Sequence, residues 1–133
     1  MSARHAACNC GQLSVTCEGE SVRISACHCL ECQRRTGSVF SVQARFNYDR
    51  VKTRGNASQY ARVADSGNRL TFNFCPICGS TVYWKSEAAP DLIAVAVGAF
   101  ADQTFPAPDY SVWERTRHSW PAMGTDRPVQ HSD

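Results

Sequence analysis

Two pairs of cysteines, Cys75-Pro76-Ile77-Cys78 and Cys29-Leu30-Glu31-Cys32, have the two-residue spacing that lets one tight turn present both sulfurs to a metal ion. Gly79 follows the first pair and can take the positive φ that such a turn needs. Cys27 stands two residues before the second pair, in Cys27-His28-Cys29, so three thiolates fall within six residues. Cys8-Asn9-Cys10-Gly11 supplies a further pair. In a straight strand residues i and i+2 share a face with their sulfurs splayed along it, so this pair needs a local bend, which Gly11 permits. Scattered ligands of this kind in a small domain point to zinc rather than iron.

Spacing alone leaves two matters open. Cys8 and Cys10 can complete a four-thiolate site with either of the two-residue-spaced pairs. Cys17 can be a fourth ligand beside Cys27, Cys29 and Cys32, which would give two closed structural sites, or a small buried residue continuing the apolar face of Leu13 and Val15. The second arrangement is the expectation, and it leaves a three-thiolate site with a free coordination position. A thiol taken up there would be deprotonated by the metal and presented as a nucleophile, with no need of a separate strong base. His28, between two ligands, is the candidate proton donor for the step that follows. Arg34 and Arg35 come directly after the cluster and are candidates to hold the carboxylates of a thiol substrate or to favour its thiolate state. From an extended segment only one of the two would face a pocket. Trp84, Trp113 and Trp120 read as core or pocket wall.

The elements that must carry these residues read as strands. Leu13, Val15 and Cys17 alternate with Ser14 and Thr16, and Val22, Ile24 and Ala26 alternate with Arg23 and Ser25, as half-buried strands do. Phe40, Val42, Ala44 and Phe46 share a face, and Ser58 to Ala64 lies between turn-like breaks at Arg54-Gly55-Asn56-Ala57 and Asp65-Ser66-Gly67-Asn68. Leu70, Phe72 and Phe74 alternate straight into Cys75, so a strand delivers that pair to its loop. Ser80 to Lys85 and Leu92 to Phe100 read as two more strands, the latter apolar enough for a core position. No long segment has helical periodicity, so the fold class is all-β. After Ala101 the chain carries Pro106, Pro108, Pro121 and Pro128 and reads as irregular coil.

At 133 residues, 43% apolar and 20% charged, residues 1–133 are expected to form one globular domain. No run of roughly 18 apolar residues and no basic start followed by an apolar segment is present, which points away from a membrane partner and towards a reducing, cytoplasmic location. There metal binding explains eight cysteines better than disulfides do. Seven ligating thiolates and two Zn²⁺ would turn the formal charge of +2 into −1, so the balance of charge does not favour nucleic acid. The 42 residues between Cys32 and Cys75 also far exceed the roughly 15–20 of a zinc ribbon.

Taken together, Cys8-Asn9-Cys10-Gly11, Cys27-His28-Cys29-Leu30-Glu31-Cys32-Gln33-Arg34-Arg35-Thr36-Gly37-Ser38 and Phe74-Cys75-Pro76-Ile77-Cys78-Gly79-Ser80 resemble the glutathione-dependent formaldehyde-activating enzyme and centromere protein V family. The resemblance implies a zinc-binding β-tent in which Cys8, Cys10, Cys75 and Cys78 hold a structural zinc and Cys27, Cys29 and Cys32 a catalytic one. It matches Cys17 to no ligand. The implied activity is that of a carbon–sulfur lyase, joining glutathione to formaldehyde as S-hydroxymethylglutathione or cleaving that adduct, so the partners are a glutathione-like thiol and an aldehyde. Trp113 to Trp120, with His118, is similar to the family's C-terminal region of two tryptophans around a histidine. The competing class is a non-catalytic zinc module for protein or chromatin contact, suggested by the centromere branch.

Overall fold

The computed structural model describes residues 2–120 together with Gln130 and Ser132; Pro121 and Pro128 of the expected coil lie outside the described residues. The fold is all-β, with one short α-helix among the described residues. A small sheet pairs β1 (Ala3–Ala7), β2 (Ser14–Glu18) and β5 (Val51–Arg54) in that order. A seven-stranded sheet has the order β10-β3-β4-β9-β8-β7-β6. Its strands are β3 (Arg23–Cys27), β4 (Ser41–Asn47), β6 (Ser58–Val63), β7 (Arg69–Phe74), β8 (Thr81–Ser86), β9 (Leu92–Ala96) and β10 (Tyr110–Val112), and α1 (Leu30–Thr36) bridges β3 and β4. Every pairing is antiparallel except β10 on β3. Among the described residues no helix is long and apolar enough to cross a membrane.

Period-two alternation decides which side chains meet. Leu13, Val15 and Cys17 of the small sheet pack with Ile24, Ala44, Phe46 and Val95 of the large one to form the main core. The opposite face of the large sheet carries the alternate residues. Pairing of Arg45 with Ala94, Ala94 with Trp84 and Trp84 with Phe72 lays these four side chains in one row across it. A register shift between β7 and β8 lets Val82 join the core although Trp84, two residues on, belongs to the opposite face.

Four expectations need correction. Strand β3 starts at Arg23, so Val22 lies before it and is 55% exposed, while Ile24 is buried and Ser25 is buried beside its partner Gln43 on the polar face. The strand from Leu92 ends at Ala96, after which Val97–Phe100 turns as a 3₁₀ helix. The region after Ala101 is not coil throughout, because Tyr110–Val112 forms β10 and Glu114–Thr116 a 3₁₀ turn. Residues 30–36 are helical, so Arg34 and Arg35 stand on a helix rather than an extended segment.

Candidate functional site

The four sulfurs of Cys8, Cys10, Cys75 and Cys78 all lie within 4.8 Å of one another, and so do the three of Cys27, Cys29 and Cys32. Cys17 belongs to neither group. It is fully buried in the main core, where burial pushes its thiol up to about 12.

The four-sulfur group is built from two turns. Cys8 follows β1 and Cys75 follows β7, so the group joins an end of the small sheet to an end of the large one. Gly11 and Gly79 hold φ of 88° and 81°, which lets each turn fold back: Gly11 N–H donates to Cys8 O at 3.1 Å and Gly79 N–H to Cys75 O at 2.8 Å. Backbone N–H groups point at the sulfurs, from Leu13 to Cys8 (3.3 Å) and from Ile77 to Cys75 (3.3 Å). The Gln12 amide donates to Cys75 Sγ at 2.9 Å. A zinc–sulfur length of about 2.3 Å sets tetrahedral sulfurs about 3.8 Å apart. The Cys8–Cys10 and Cys10–Cys75 separations of 3.6 and 3.7 Å fit that spacing.

The three-sulfur group is assembled differently. Cys27 ends β3, Cys29 is the N-cap of α1 and Cys32 lies in its first turn. The Cys27 thiol, by hydrogen bonding to Cys32, holds the Cys32 thiol down at about 5 against the effect of burial, with Ser41, Cys29 and Arg35 acting in the same sense. The same hydrogen bond, together with burial, pushes Cys27 upward. Three sulfurs this close cannot all be thiolates without a cation among them, and that donor set fits zinc.

This group opens into a cavity of about 210 Å³ on the polar face of the large sheet. Arg35, Arg45 and Arg62 line it, with Phe72 and Trp84 forming an aromatic wall. The Arg35 guanidinium stacks 4.4 Å from the Trp84 centroid and 5.0 Å from that of Phe72, and its Nη2 lies 3.9 Å from Cys32 Sγ. Arg62 pairs with Glu31 at 3.9 Å. Burial, and then Arg23 nearby, lower the pKa of Arg45. Arg34 is exposed and does not line the cavity. Nor does His28: its buried ring meets Ser111 Oγ through Nε2 at 3.1 Å and packs near Phe40. Trp84 and Trp113 line the cavity, whereas Trp120 is not among its lining residues and meets His118 edge to face.

Arg45, Gln43, Arg62 and Glu31 were not singled out in the sequence. One signal did exist for the first two: Gln43 and Arg45 alternate with Val42, Ala44 and Phe46, which marks a polar face on a strand whose other face is core. That a cysteine cluster would meet that face depends on tertiary packing.

Two sheets carrying a four-sulfur and a three-sulfur centre define a small all-β protein able to hold metal at two places. The chain belongs to the glutathione-dependent formaldehyde-activating enzyme family, whose pattern matches residues 3–116. No curated protein matches it. Among solved structures it is similar to a Rhodobacter sphaeroides protein at 19% identity and a TM-score of 0.57, over 77% of this chain and 90% of that one. That likeness concerns the fold alone.

Proposed function

We propose that the protein is a carbon–sulfur lyase that forms and cleaves thiol–formaldehyde adducts, with glutathione the thiol its family implies. The observation that carries this reading is the contrast between the two sulfur groups, one with four sulfurs and one with three facing a cavity. In the forward direction the thiol sulfur bonds to the aldehyde carbon, the carbonyl π pair moves to oxygen, and the proton lost by the thiol ends on that oxygen. Zinc held by Cys27, Cys29 and Cys32 would supply a free coordination position and a lowered pKa for the incoming thiol.

The remaining work belongs to the chain. Arg35 and Arg45 put two positive charges in the cavity with no carboxylate ion-paired to them among the described residues, whereas Arg62 is paired with Glu31. They offer a thiol bearing carboxylates its counter-charge. Phe72 and Trp84 exclude water from one wall. Among the described residues Glu31 and Asp65 are the acids lining the cavity and the candidates to pass the proton, a role that His28 would reach only by turning away from Ser111.

Exchange NMR on glutathione and formaldehyde tests the proposal. The protein should accelerate interconversion of free and hydroxymethylated thiol beyond the spontaneous rate. No acceleration with glutathione or any other thiol would sink it in favour of a binding module.

A further inference from the structure

Trp113 lies at the cavity in a backbone conformation that a bulky residue rarely adopts, with φ 56° and ψ 45°. Packing of its ring does not account for this. Among the described residues the side chain joins neither core cluster, the residue is 42% exposed, and the ring meets the Arg115 guanidinium at 5.7 Å.

The conformation is imposed from both sides. Before Trp113, Val112 is in register with Cys27, and its carbonyl accepts the His28 N–H at 3.1 Å. After it, Thr116 Oγ1 donates to His28 O at 2.7 Å. The Gln33 amide donates to both His28 O (3.0 Å) and Thr116 O (3.1 Å), while its own oxygen meets His118 Nε2 at 3.0 Å. The strap from Val112 to His118 is thus fastened to the segment that carries Cys27, Cys29 and Cys32. The outcome is that Trp113 is held at the cavity that Cys27, Cys29 and Cys32 also line. Strain of this kind persists where surrounding structure over-determines it, and it gathers at functional sites.

We propose that Trp113 is a substrate-contacting specificity residue: its indole packs on the carbon skeleton of the thiol in the cavity and shields the sulfurs from water. This rests on the thiol–aldehyde reading above. An indole suits the role because it offers a large apolar face with little rotational freedom to lose. Phe72 and Trp84 line the same cavity, so the thiol would lie among aromatic surfaces with its charge left to the arginines.

The test separates strain from contact. Trp113→Gly removes the ring and also the Cβ that makes positive φ unfavourable, so its thermal midpoint should equal or exceed that of the native protein. Its KM for glutathione should rise about tenfold with a smaller change in kcat, and Trp113→Phe should restore most of the loss. A second measurement needs no turnover: in a Trp84→Phe background, which removes the other tryptophan of the cavity, S-methylglutathione, which cannot form a thiolate, should shift the tryptophan emission, and adding Trp113→Phe should abolish the shift. A destabilised Trp113→Gly with unchanged KM, or an emission shift in the Trp84→Phe background that survives Trp113→Phe, would overturn the proposal. A native protein that accelerates no thiol overturns the lyase reading instead, and the emission experiment then decides the role of Trp113 by itself.

Discussion

Cys29 Sγ accepts the backbone N–H of Cys32 at 3.3 Å, so a sulfur of the three-membered group is also the cap of helix α1. Helix caps are usually Ser, Thr, Asp or Asn, whose oxygen takes an otherwise unpartnered N–H. Here the residue that would hold a metal also starts the element that positions Arg35. Substitutions separate the two duties. Cys29→Ser keeps a capping oxygen but loses the thiolate, whereas Cys29→Ala loses both. Each should leave a folded, inactive protein, with the alanine variant less stable than the serine one by about 1 kcal/mol. Urea denaturation measures that difference, and equal stabilities would mean that the sulfur contributes no capping.

The four-sulfur group should behave otherwise, because it ties the two sheets together at Cys8 and Cys75. Cys78→Ser is expected to abolish cooperative unfolding, since metal binding at a closed site is itself folding free energy. Circular dichroism with zinc counting by native mass spectrometry checks this. If Cys29→Ser unfolds the chain as fully as Cys78→Ser, the division into structural and catalytic centres fails.

Where a single face of a strand touches the core, the chain was legible. Leu13, Val15 and Cys17 alternate without exception, and all three are buried in β2 and the residue before it. The same holds for Asp65-Ser66-Gly67-Asn68, which makes the turn between β6 and β7 with Gly67 at φ 89°. Helix α1 left no periodic signal because its seven residues make barely two turns and its cap is a cysteine. Strand β10 depends on parallel pairing with β3, more than eighty residues away, and so has no local signature. Both cysteine groups were visible as spacings, yet the pairing of Cys8 and Cys10 with Cys75 and Cys78 came from family resemblance, because spacing cannot say which turn meets which. Arg35 was visible beside the cluster, but the other two arginines of the cavity were hidden for a related reason: Arg45 and Arg62 come from strands at different positions in the sheet order, and only the fold brings them to the cavity that Cys27 lines.

Glu114 gives a prediction about pH. The Ser111 hydroxyl donates to its carboxylate at 2.8 Å and Arg117 lies at 3.2 Å, and these hold the Glu114 carboxyl below its ordinary value of 4.5. A carboxyl lowered on folding adds stability that is present above the unfolded pKa and is lost as pH falls through the folded one. The charge therefore helps anchor the Val112–His118 strap at neutral pH and ceases to do so in acid. Glu114→Gln should speed amide exchange in the strap relative to the native protein at neutral pH, and that difference should vanish below the folded pKa. A difference independent of pH would assign the anchoring to shape rather than charge.

Two glycines with similar backbones should respond differently to alanine. Gly55 and Gly67 hold φ of 95° and 89°, so each substitution meets the left-handed penalty of about 1–2 kcal/mol. Around Gly67 an added Cβ meets no atom within 4 Å, and the cost should stop there. At Gly55 the Cβ would overlap the carbonyl of Gln12, which is backbone and cannot swing aside. Overpacking of that kind adds about 1–3 kcal/mol. Moreover, Gln12 is not a bystander. Its amide exchanges hydrogen bonds with the backbone of Asn56 at 2.8 and 2.9 Å and donates to Cys75 Sγ, so a shift at residue 55 pulls on a sulfur of the four-membered group. Loss of a hydrogen bond behind a metal ligand commonly lowers metal affinity on the order of 10–100-fold. Gly55→Ala should therefore surrender zinc to a chelator faster than Gly67→Ala does, beyond what their difference in stability accounts for. Equal release rates at equal stability would show that Gln12 does not support Cys75.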